Sequence, residues 1–179
     1  MDEKSSGLIL RTRPLTETSL IVHWCSADCG LFKTVAKGAL RPKSPFAGRL
    51  DLFVTCEVVF VRSGKSDLHT LREAQLTLLR LHLRDSYARV VAAAYFCRLL
   101  EMVAEREAPL GGLHELLRLA LDHLDSHDPS AKLVARFENR LCGELGLGEV
   151  KSGGGALLHD YFHRPLPPQR EELLKQIAP

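Results

Sequence analysis

The hydrophobic pattern of this chain changes its period near residue 77, and that change limits the folds open to it. Before that point, short runs rich in β-branched and aromatic residues are separated by polar turns, as strands are. The runs that predict strands are residues 8–13, 18–25, 31–37, 50–62 and 68–76. The fourth run is the longest, and we expect it to bend around a small barrel. Five short strands joined by turns favour a closed or half-closed β-barrel.

The second half of the chain has the apolar spacing of helices. From residue 85 onward, apolar residues cover much of one helix, which should be central in a helical domain. Pro109 is expected in the first turn of the next helix, and Asp128 and Pro129 at the start of a third. Gly146 or Gly148 should end that third helix. Strands followed by helices predict an α+β protein with segregated parts.

Composition suggests the domain limits. The tract KSGGG (151–155) is typical of a flexible linker, and a last short helix is expected at 169–177. We therefore expect an N-terminal barrel domain at 1–76 and a helical domain at 77–148. A glycine-rich linker and C-terminal tail should follow at 149–179.

The chain has features of a protein of the reducing cytosol. Its five cysteines are an odd number without the spacing of a disulfide framework, so we expect reduced thiols. The first residues hold no apolar stretch long enough for a signal peptide. The longest uninterrupted apolar run, 90–97, is far shorter than the ~20 residues of a membrane span. We therefore expect no association with a membrane.

Positive charge is concentrated in the first half of the chain. Residues 1–76 carry 11 Lys and Arg against 8 Asp and Glu, whereas residues 77–179 carry 13 against 14. The densest stretch, VAKGALRPKSPFAG (35–48), lies between Asp28 and Asp51 with no acidic residue in between. Its glycines and prolines predict an extended loop, and its cations suit a phosphate backbone. A solvated connector is the alternative interpretation.

No motif for catalysis or for a cofactor is evident. No Ser, Cys or carboxylate is flanked by a base in a recognisable nucleophile motif, so we predict that the protein is not an enzyme. The glycine-rich tract lacks the Lys-Ser/Thr of a phosphate-binding loop. Cys25 and Cys29 form one pair, whereas tetrahedral zinc needs four ligands. Cys142, His159 and His163 are a rival metal set, but we predict that neither a metal nor a cofactor is bound.

Three stretches of the sequence resemble the bacterial RecO family of recombination mediators. They are GLILRTRPLTETSLIV (7–22), VAKGALRPKSPFAGRLDLF (35–53) and FENRLCGELGLG (137–148), in the order and spacing of that family. The resemblance implies an OB-fold barrel followed by a helical domain. It also implies DNA binding, strand annealing, and work with RecR and single-strand DNA-binding protein in loading RecA. The implied location is the bacterial cytoplasm, at the nucleoid.

The sequence departs from the family pattern at three places. Position 16 is Thr where Gly is frequent, and Leu40 stands where a second basic residue is common. The zinc-binding cysteine cluster of many members is missing after the leucine-glycine turn, where the chain reads GEVKSGGGALLHDYFH (148–163). We therefore expect a short, zinc-less relative. The alternative function is a protein-interaction adaptor with the same fold and weak or no DNA binding.

An OB-fold binds single strands by contacting phosphates with cations and stacking bases on aromatic rings. Phe46, inside the basic stretch, is the expected stacking residue, and Phe32 is the next candidate. Trp24, Phe53 and Phe60 are expected in the core. The residues predicted to contact DNA are Arg11, Arg13, Lys33, Lys37, Arg41, Lys43, Phe46 and Arg49. The predicted ligand is single-stranded DNA, and binding of duplex DNA stays open.

The helical domain is expected to receive a protein partner. The resemblance implies that the acidic and apolar C-terminal tail of single-strand DNA-binding protein docks there. Such a tail needs an apolar pocket with a cation at its rim. The candidates for that rim are Arg89, Arg98, Arg136 and Arg140. The alternative for each is pairing within the protein, or snorkelling to solvent.

Overall fold

The computed structural model describes residues 2–178, which divide into two compact units. The barrel unit runs to Leu79 and also contains Glu105–Gly111. The helical unit contains Arg80–Ala104 and continues from Gly112. The domain limits expected at residues 76 and 148 stay predictions.

The barrel unit is built, within the described residues, on five strands. They are β1 (Asp2–Pro14), β2 (Leu20–Ser26), β3 (Gly30–Ala36), β4 (Thr55–Val61) and β5 (Leu68–Leu78). The strands close into a barrel in the order β1-β2-β3-β5-β4, and every pair is antiparallel except β3 with β5. β1 closes the barrel because it pairs with β2 on one side and β4 on the other. This barrel ahead of helices confirms the predicted α+β class and matches an OB-fold.

Two strand lengths differ from the sequence prediction. β1, not β4, is the longest strand, because its polar start pairs with β4 from Asp2 opposite Val61 onward. Ladder hydrogen bonds need no apolar side chain, so the hydrophobic pattern does not show this part of β1. β4 begins only at Thr55, because Phe53 has a positive φ of 64° and turns interrupt the chain before it.

Aromatic rings fill the barrel core. Trp24, Phe32 and Phe60 stack in series, with ring centroids 6.2 Å apart in the first pair and 4.7 Å in the second. The Trp24 indole N–H donates to the Thr34 hydroxyl at 2.8 Å, so its polar atom is satisfied inside the barrel. Gly7 on β1 is required, because a Cβ there would lie 2.8 Å from the Trp24 ring. The prediction that Trp24, Phe53 and Phe60 are core residues is confirmed.

A segment between two helices completes the barrel unit. Residues 105–111, here called the strap, run beside the start of β3. The Glu107 backbone N–H donates to the Leu31 carbonyl, and the Leu110 N–H donates to the Ala27 carbonyl, both at 3.0 Å. The strap therefore satisfies one carbonyl at the start of β3 and one in the turn that precedes it.

The helix that follows the strap begins only after it, at Gly112. The prediction that Pro109 lies in the first turn of that helix is wrong, because Pro109 is in the strap and the helix starts at Gly112. The close approach of the strap requires glycine at position 30, which has a φ of 73°. A Cβ on Gly30 would lie 2.1 Å from the Ala108 carbonyl oxygen.

The helical unit contains a short 3₁₀ helix at Leu81–Asp85 and, within the described residues, five α-helices. They are α1 (Tyr87–Val103), α2 (Gly112–Ser126), α3 (Ala131–Glu144), α4 (Gly154–Phe162) and α5 (Gln169–Gln176). α1 is buried along most of its length, and its Phe96 stacks on Phe137 of α3 with ring centroids 4.1 Å apart. Ser130, not Asp128, caps α3, because the Ser130 hydroxyl accepts the Leu133 N–H at 3.2 Å.

The glycine-rich tract is packed into the helical unit, so the prediction of a flexible linker there is wrong. Gly154 and Gly155 are buried in the first turn of α4. A Cβ on Gly154 would lie 2.6 Å from the Asn139 side-chain oxygen, and one on Gly155 would lie 2.6 Å from a Glu138 oxygen. The missing side chains thus allow α4 to begin directly against α3, which is a packing role rather than a flexible one.

Candidate nucleic-acid interface

The basic stretch forms a compact series of turns. Residues 37–54, here called the turn segment, connect β3 to β4. Its backbone N–H groups donate back along the chain at 3.0–3.1 Å, from Arg41 to Gly38, from Ser44 to Arg41, and from Ala47 to Ser44. Gly38 takes the positive φ, 68°, that such turns favour. The prediction of an extended loop is therefore wrong.

Phe46 anchors the turn segment to the barrel. Its side chain is 7% exposed and belongs to the same core cluster as Trp24 and Phe60. Burial of a phenylalanine ring contributes about 2–3 kcal/mol, which explains why this side chain turns inward. The buried ring offers no free face to a base, so the stacking role of Phe46 stays a prediction that requires the ring to leave the core.

Three cations project from the anchored segment into solvent. Lys37, Arg41 and Lys43 are exposed, and within residues 2–178 no carboxylate pairs with any of them. The Arg41 side chain lies over Gly38, whose Cβ position would be 3.4 Å from the Arg41 Cδ. Arg49 is also exposed, but one of its guanidinium N–H groups donates to the Ala74 carbonyl at 3.1 Å. The segment therefore presents positive charge on a fixed backbone.

The β1–β2 turn lies beside the start of the turn segment. Leu40 donates its backbone N–H to the Thr18 carbonyl at 2.9 Å, and Gly38 donates to the Ser19 hydroxyl at 3.3 Å. Arg13, at the end of β1, is exposed near this turn. The structure thus brings Arg13 to the end of the barrel that carries the turn-segment cations.

Lys33 and Arg11, which were also predicted to contact DNA, are less exposed than the turn-segment cations. The Lys33 ammonium pairs with the Asp67 carboxylate at 2.5 Å, and its side chain is only 21% exposed. This hydrogen bond and the Lys33 charge lower the pKa of Asp67, and Arg106 adds a smaller effect. Arg11 is half-buried on β1 opposite His23. The Lys33 charge is already compensated, so it would contribute less to a phosphate contact.

A groove on the barrel holds two cations that sequence reasoning missed. It has a volume of about 540 Å³ and lies between the turn segment and strands β1, β4 and β5. Lys4 and Arg72 line it together with Arg49, but so do Glu57 and Glu73. No sequence pattern indicated Lys4, because its place opposite Val59 of β4 depends on the strand register. The mixed charge makes this groove a weaker phosphate site than the turn segment.

The aromatic side chains of the barrel unit face inward. Within its described part, every Phe, Tyr and Trp is buried: Trp24, Phe32, Phe46, Phe53 and Phe60. A stacking platform of exposed rings, which many single-strand binders use, is therefore missing from the described barrel residues.

A second candidate site lies between α2 and α3. It is an apolar groove of about 280 Å³ whose walls include Leu116, Leu119 and Phe137. The cations at the groove are Lys132, Arg136 and Arg140, and no acidic residue is among its lining residues. His123 also lines the groove, and its burial lowers its pKa, with smaller effects from His127 and Arg136.

Two of the four arginines expected at a partner site line this groove. Arg136 and Arg140 do so, whereas Arg89 and Arg98 pair within the protein. Arg89 donates to Asp128 at 2.8 Å, and Arg98 lies 3.5 Å from Glu101 on α1. Lys132 was missed, although it lies four residues before Arg136 and so on the same face of α3.

The described residues 2–178 hold no group of three or more His, Cys, Asp and Glu placed to bind a metal ion. Cys142 is buried, and its thiol lies 3.5 Å from the Gly154 carbonyl oxygen. The His159 ring hydrogen-bonds the Arg164 carbonyl at 2.8 Å. The rival metal set of Cys142, His159 and His163 is therefore not brought together. Along the same residues, no helix has the length and apolar character to cross a membrane.

Comparison with known proteins agrees with this architecture. The model of the family "Recombination protein O N terminal" matches residues 1–80, and "Recombination protein O C terminal" matches residues 84–149. A relative named DNA repair protein RecO from Pectobacterium atrosepticum is 33% identical over 149 residues, 83% of this chain and 59% of the relative. One of the same name from Rhodopirellula baltica is 30% identical over 140 residues, 78% of this chain and 52% of the relative.

A closed five-stranded barrel with a cationic turn segment, followed by helices, defines an OB-fold protein with a helical second unit. Matches of both terminal family models, in order, narrow this class further. The chain belongs to the RecO family of recombination and DNA repair proteins. It spans just over half the length of the curated relatives that it matches.

Proposed function

We propose that this protein binds single-stranded DNA through the cations at one end of its barrel and acts in DNA repair and homologous recombination. The observation that carries the proposal is the group Lys37, Arg41 and Lys43, exposed on a hydrogen-bonded segment and unpaired within the described chain. Arg13 and Arg49 extend this surface, and Arg11 and Lys33 are secondary contacts.

The mode of binding follows from the charges and the buried rings. Each phosphate contact releases counterions, so affinity should fall steeply with salt. Because no aromatic ring is exposed among the described barrel residues, stacking contributes little and the sequence of the DNA should matter little. Duplex DNA presents the same phosphates, so we propose that it binds as well.

Strand annealing is a consequence of the same contacts. A protein that holds phosphates and stacks no bases leaves the Watson–Crick edges free to pair. It also neutralises the repulsion between two strands as they approach. We therefore propose that annealing is an activity of the barrel surface.

The α2–α3 groove supports a partner for this activity. An acidic tail with apolar residues fits an apolar floor bordered by Lys132, Arg136 and Arg140. We propose that the C-terminal tail of single-strand DNA-binding protein is its occupant. Cooperation with RecR in loading RecA, and a place at the nucleoid of the bacterial cytoplasm, are proposed on family membership alone.

A salt titration tests the proposed function. Fluorescence anisotropy of a labelled 30-nucleotide single strand, measured from about 20 to 300 mM NaCl, should show an affinity that falls linearly on a log–log plot. Addition of the complementary strand should give annealing faster than in protein-free solution. Weak binding at every salt concentration, with tail-peptide binding retained, would favour the adaptor function instead.

A further inference from the structure

Two exposed leucines stand at the cationic end of the barrel. Leu15, in the β1–β2 turn, is 46% exposed, and Leu40, in the turn segment, is 50% exposed. Leu15 donates its backbone N–H to the Ser19 carbonyl at 2.8 Å, and Leu40 donates to the Thr18 carbonyl at 2.9 Å. Because Thr18 and Ser19 are adjacent, both leucines are tied to the same turn.

Cations flank both leucines along the chain. Arg13 precedes Leu15 by two residues, and Leu40 is followed directly by Arg41. Lys37 lies just before Leu40 in the same turns, and Glu17 is the acidic residue of the β1–β2 turn. Exposed apolar side chains flanked by cations are complementary to a ligand whose outer groups are negative and whose inner groups are apolar. Stacked DNA, with its phosphates outside and its bases inside, has that character.

We propose that Leu15 and Leu40 form an apolar wedge that enters a base step of DNA at a junction between single and double strand. The inference rests on the proposed function of the barrel as a DNA-binding surface. Leucine is among the apolar side chains that enter and partly unstack base steps, whereas free bases prefer flat aromatic rings. The barrel residues described here expose leucines and no aromatic ring, which favours a stacked step over a free base.

A junction is the stacked step that such a wedge enters most readily. Its last base pair has a neighbour on one side only, so opening it costs less than opening an internal step. The cations beside the leucines can contact the phosphates of both the duplex and the adjoining single strand. A wedge of this kind would hold the end of a newly formed duplex, which is the product of annealing.

The test uses a DNA junction with 2-aminopurine in its terminal base pair. The wild-type protein should raise the 2-aminopurine fluorescence, because unstacking relieves quenching. The double variant Leu15→Ser/Leu40→Ser should lose this signal and bind the junction about tenfold more weakly. Its salt dependence should be unchanged, since no phosphate contact is removed. The variant Leu15→Met/Leu40→Met keeps an apolar tip and should behave as the wild type.

Leu81→Ser is the matched control, because Leu81 is an exposed leucine of the 3₁₀ helix in the helical unit. It should bind the junction as the wild type does. The wedge is overturned if the double serine variant keeps the fluorescence change. It is also overturned if this variant loses the same factor of affinity for single strands as for junctions. In either case the proposed function stands, provided that the cation variants still weaken DNA binding. A wild-type protein that binds no DNA would overturn both.

Discussion

Arg170 of α5 and Glu138 of α3 form an ion pair whose carboxylate is almost wholly buried. The Arg170 Nε donates to one Glu138 oxygen at 2.6 Å, and its Nη2 donates to the other at 3.2 Å. The Tyr95 hydroxyl of α1 also donates to this carboxylate, at 2.6 Å. Burial, and then the neighbouring carboxylate, raise the pKa of Tyr95 well above its usual range, so the phenol stays a donor. The Glu138 carboxylate thus links α3 to both α5 and α1.

Removal of the arginine should therefore destabilise the protein. Arg170→Met leaves the Glu138 carboxylate buried without its counter-charge, and we expect the free energy of unfolding to fall by about 3 kcal/mol. Urea unfolding at pH 7 measures this loss of unfolding free energy. Adding Glu138→Gln to Arg170→Met should recover part of the loss, because no charge is then left unpaired. The control is Arg164→Met, at an exposed position. Equal stabilities for Arg170→Met and Arg164→Met would contradict the prediction.

Loss of the turn-segment cations should weaken DNA binding. Changing Lys37, Arg41 and Lys43 together to Ala should lower single-strand affinity at least tenfold at low salt, about 1.4 kcal/mol. The salt slope should flatten by about two units, since each single-strand phosphate contact contributes about 0.7. Stability should change by less than about 0.5 kcal/mol, because these side chains are exposed.

The control for this prediction removes the same net charge elsewhere. Lys65, Lys151 and Lys175 are exposed and lie outside the turn segment. Their joint change to Ala should leave both affinity and salt slope close to the wild-type values. If the two triple variants lose affinity equally, the effect is one of net charge, and the turn segment is only a connector.

Phe46→Ala should lower the stability of the protein more than its affinity for DNA. The ring lies in the barrel core, so its loss leaves a cavity and should reduce the free energy of unfolding by about 3 kcal/mol. The salt slope should be retained, since the cations remain. Thermal and urea unfolding measure the first effect and anisotropy the second. Unchanged stability together with weaker DNA binding would show instead that the ring leaves the core to stack on a base.

The α2–α3 groove should bind an acidic, apolar tail independently of DNA. Arg136→Glu reverses a charge at the groove and should weaken a nine-residue tail peptide at least tenfold by isothermal titration calorimetry, because it places a carboxylate against the acidic tail. Arg164→Glu makes the same charge change outside the groove and should leave the peptide affinity unchanged. Loss of single-strand binding in Arg136→Glu would show that the two surfaces are not separate.

Cys29 should react with a thiol reagent faster than the other four cysteines. Cys29 is half-buried, whereas Cys25, Cys56, Cys97 and Cys142 are buried. Burial raises the pKa of Cys56 from 9.0 to about 11, so it holds little thiolate at neutral pH. Iodoacetamide at pH 7.5 should therefore label Cys29 first, as read by mass spectrometry. Because the folded pKa is the higher one, Cys56 should reduce stability only as pH rises from about 9 towards 11.

The sequence predicted the fold where hydrophobic period and turn chemistry agree. Trp24 and Phe60 lie in apolar runs of strand composition, and both are in the barrel core. The limits of the elements were less predictable. Phe53, just before β4, has a positive φ and donates its backbone N–H to the Ile9 carbonyl at 2.9 Å, a contact between residues distant in sequence. No local pattern carries that information.

The positive charges of the candidate site could be predicted from the sequence, but which of its side chains are buried could not. The exposed cations Lys37, Arg41 and Lys43 follow from composition alone. The burial of Phe46 does not, because a single phenylalanine in a turn can face either way, and its direction depends on the barrel residues it packs against. The same reason separates Arg136, which lines the α2–α3 groove, from Arg89, which does not. Which arginine finds a carboxylate depends on residues distant in sequence, such as Asp128 for Arg89.

The strap makes the barrel unit discontinuous along the chain. The edge of β3 at Leu31 is completed by residues that follow α1, so the first unit is finished only after part of the second has been synthesised. During translation, about 30 further residues must therefore follow the last strand before these contacts of the barrel can form. A fragment ending at Leu79 would lack the partners that the strap supplies to the Leu31 and Ala27 carbonyls. The two units are thus linked in the order of their folding.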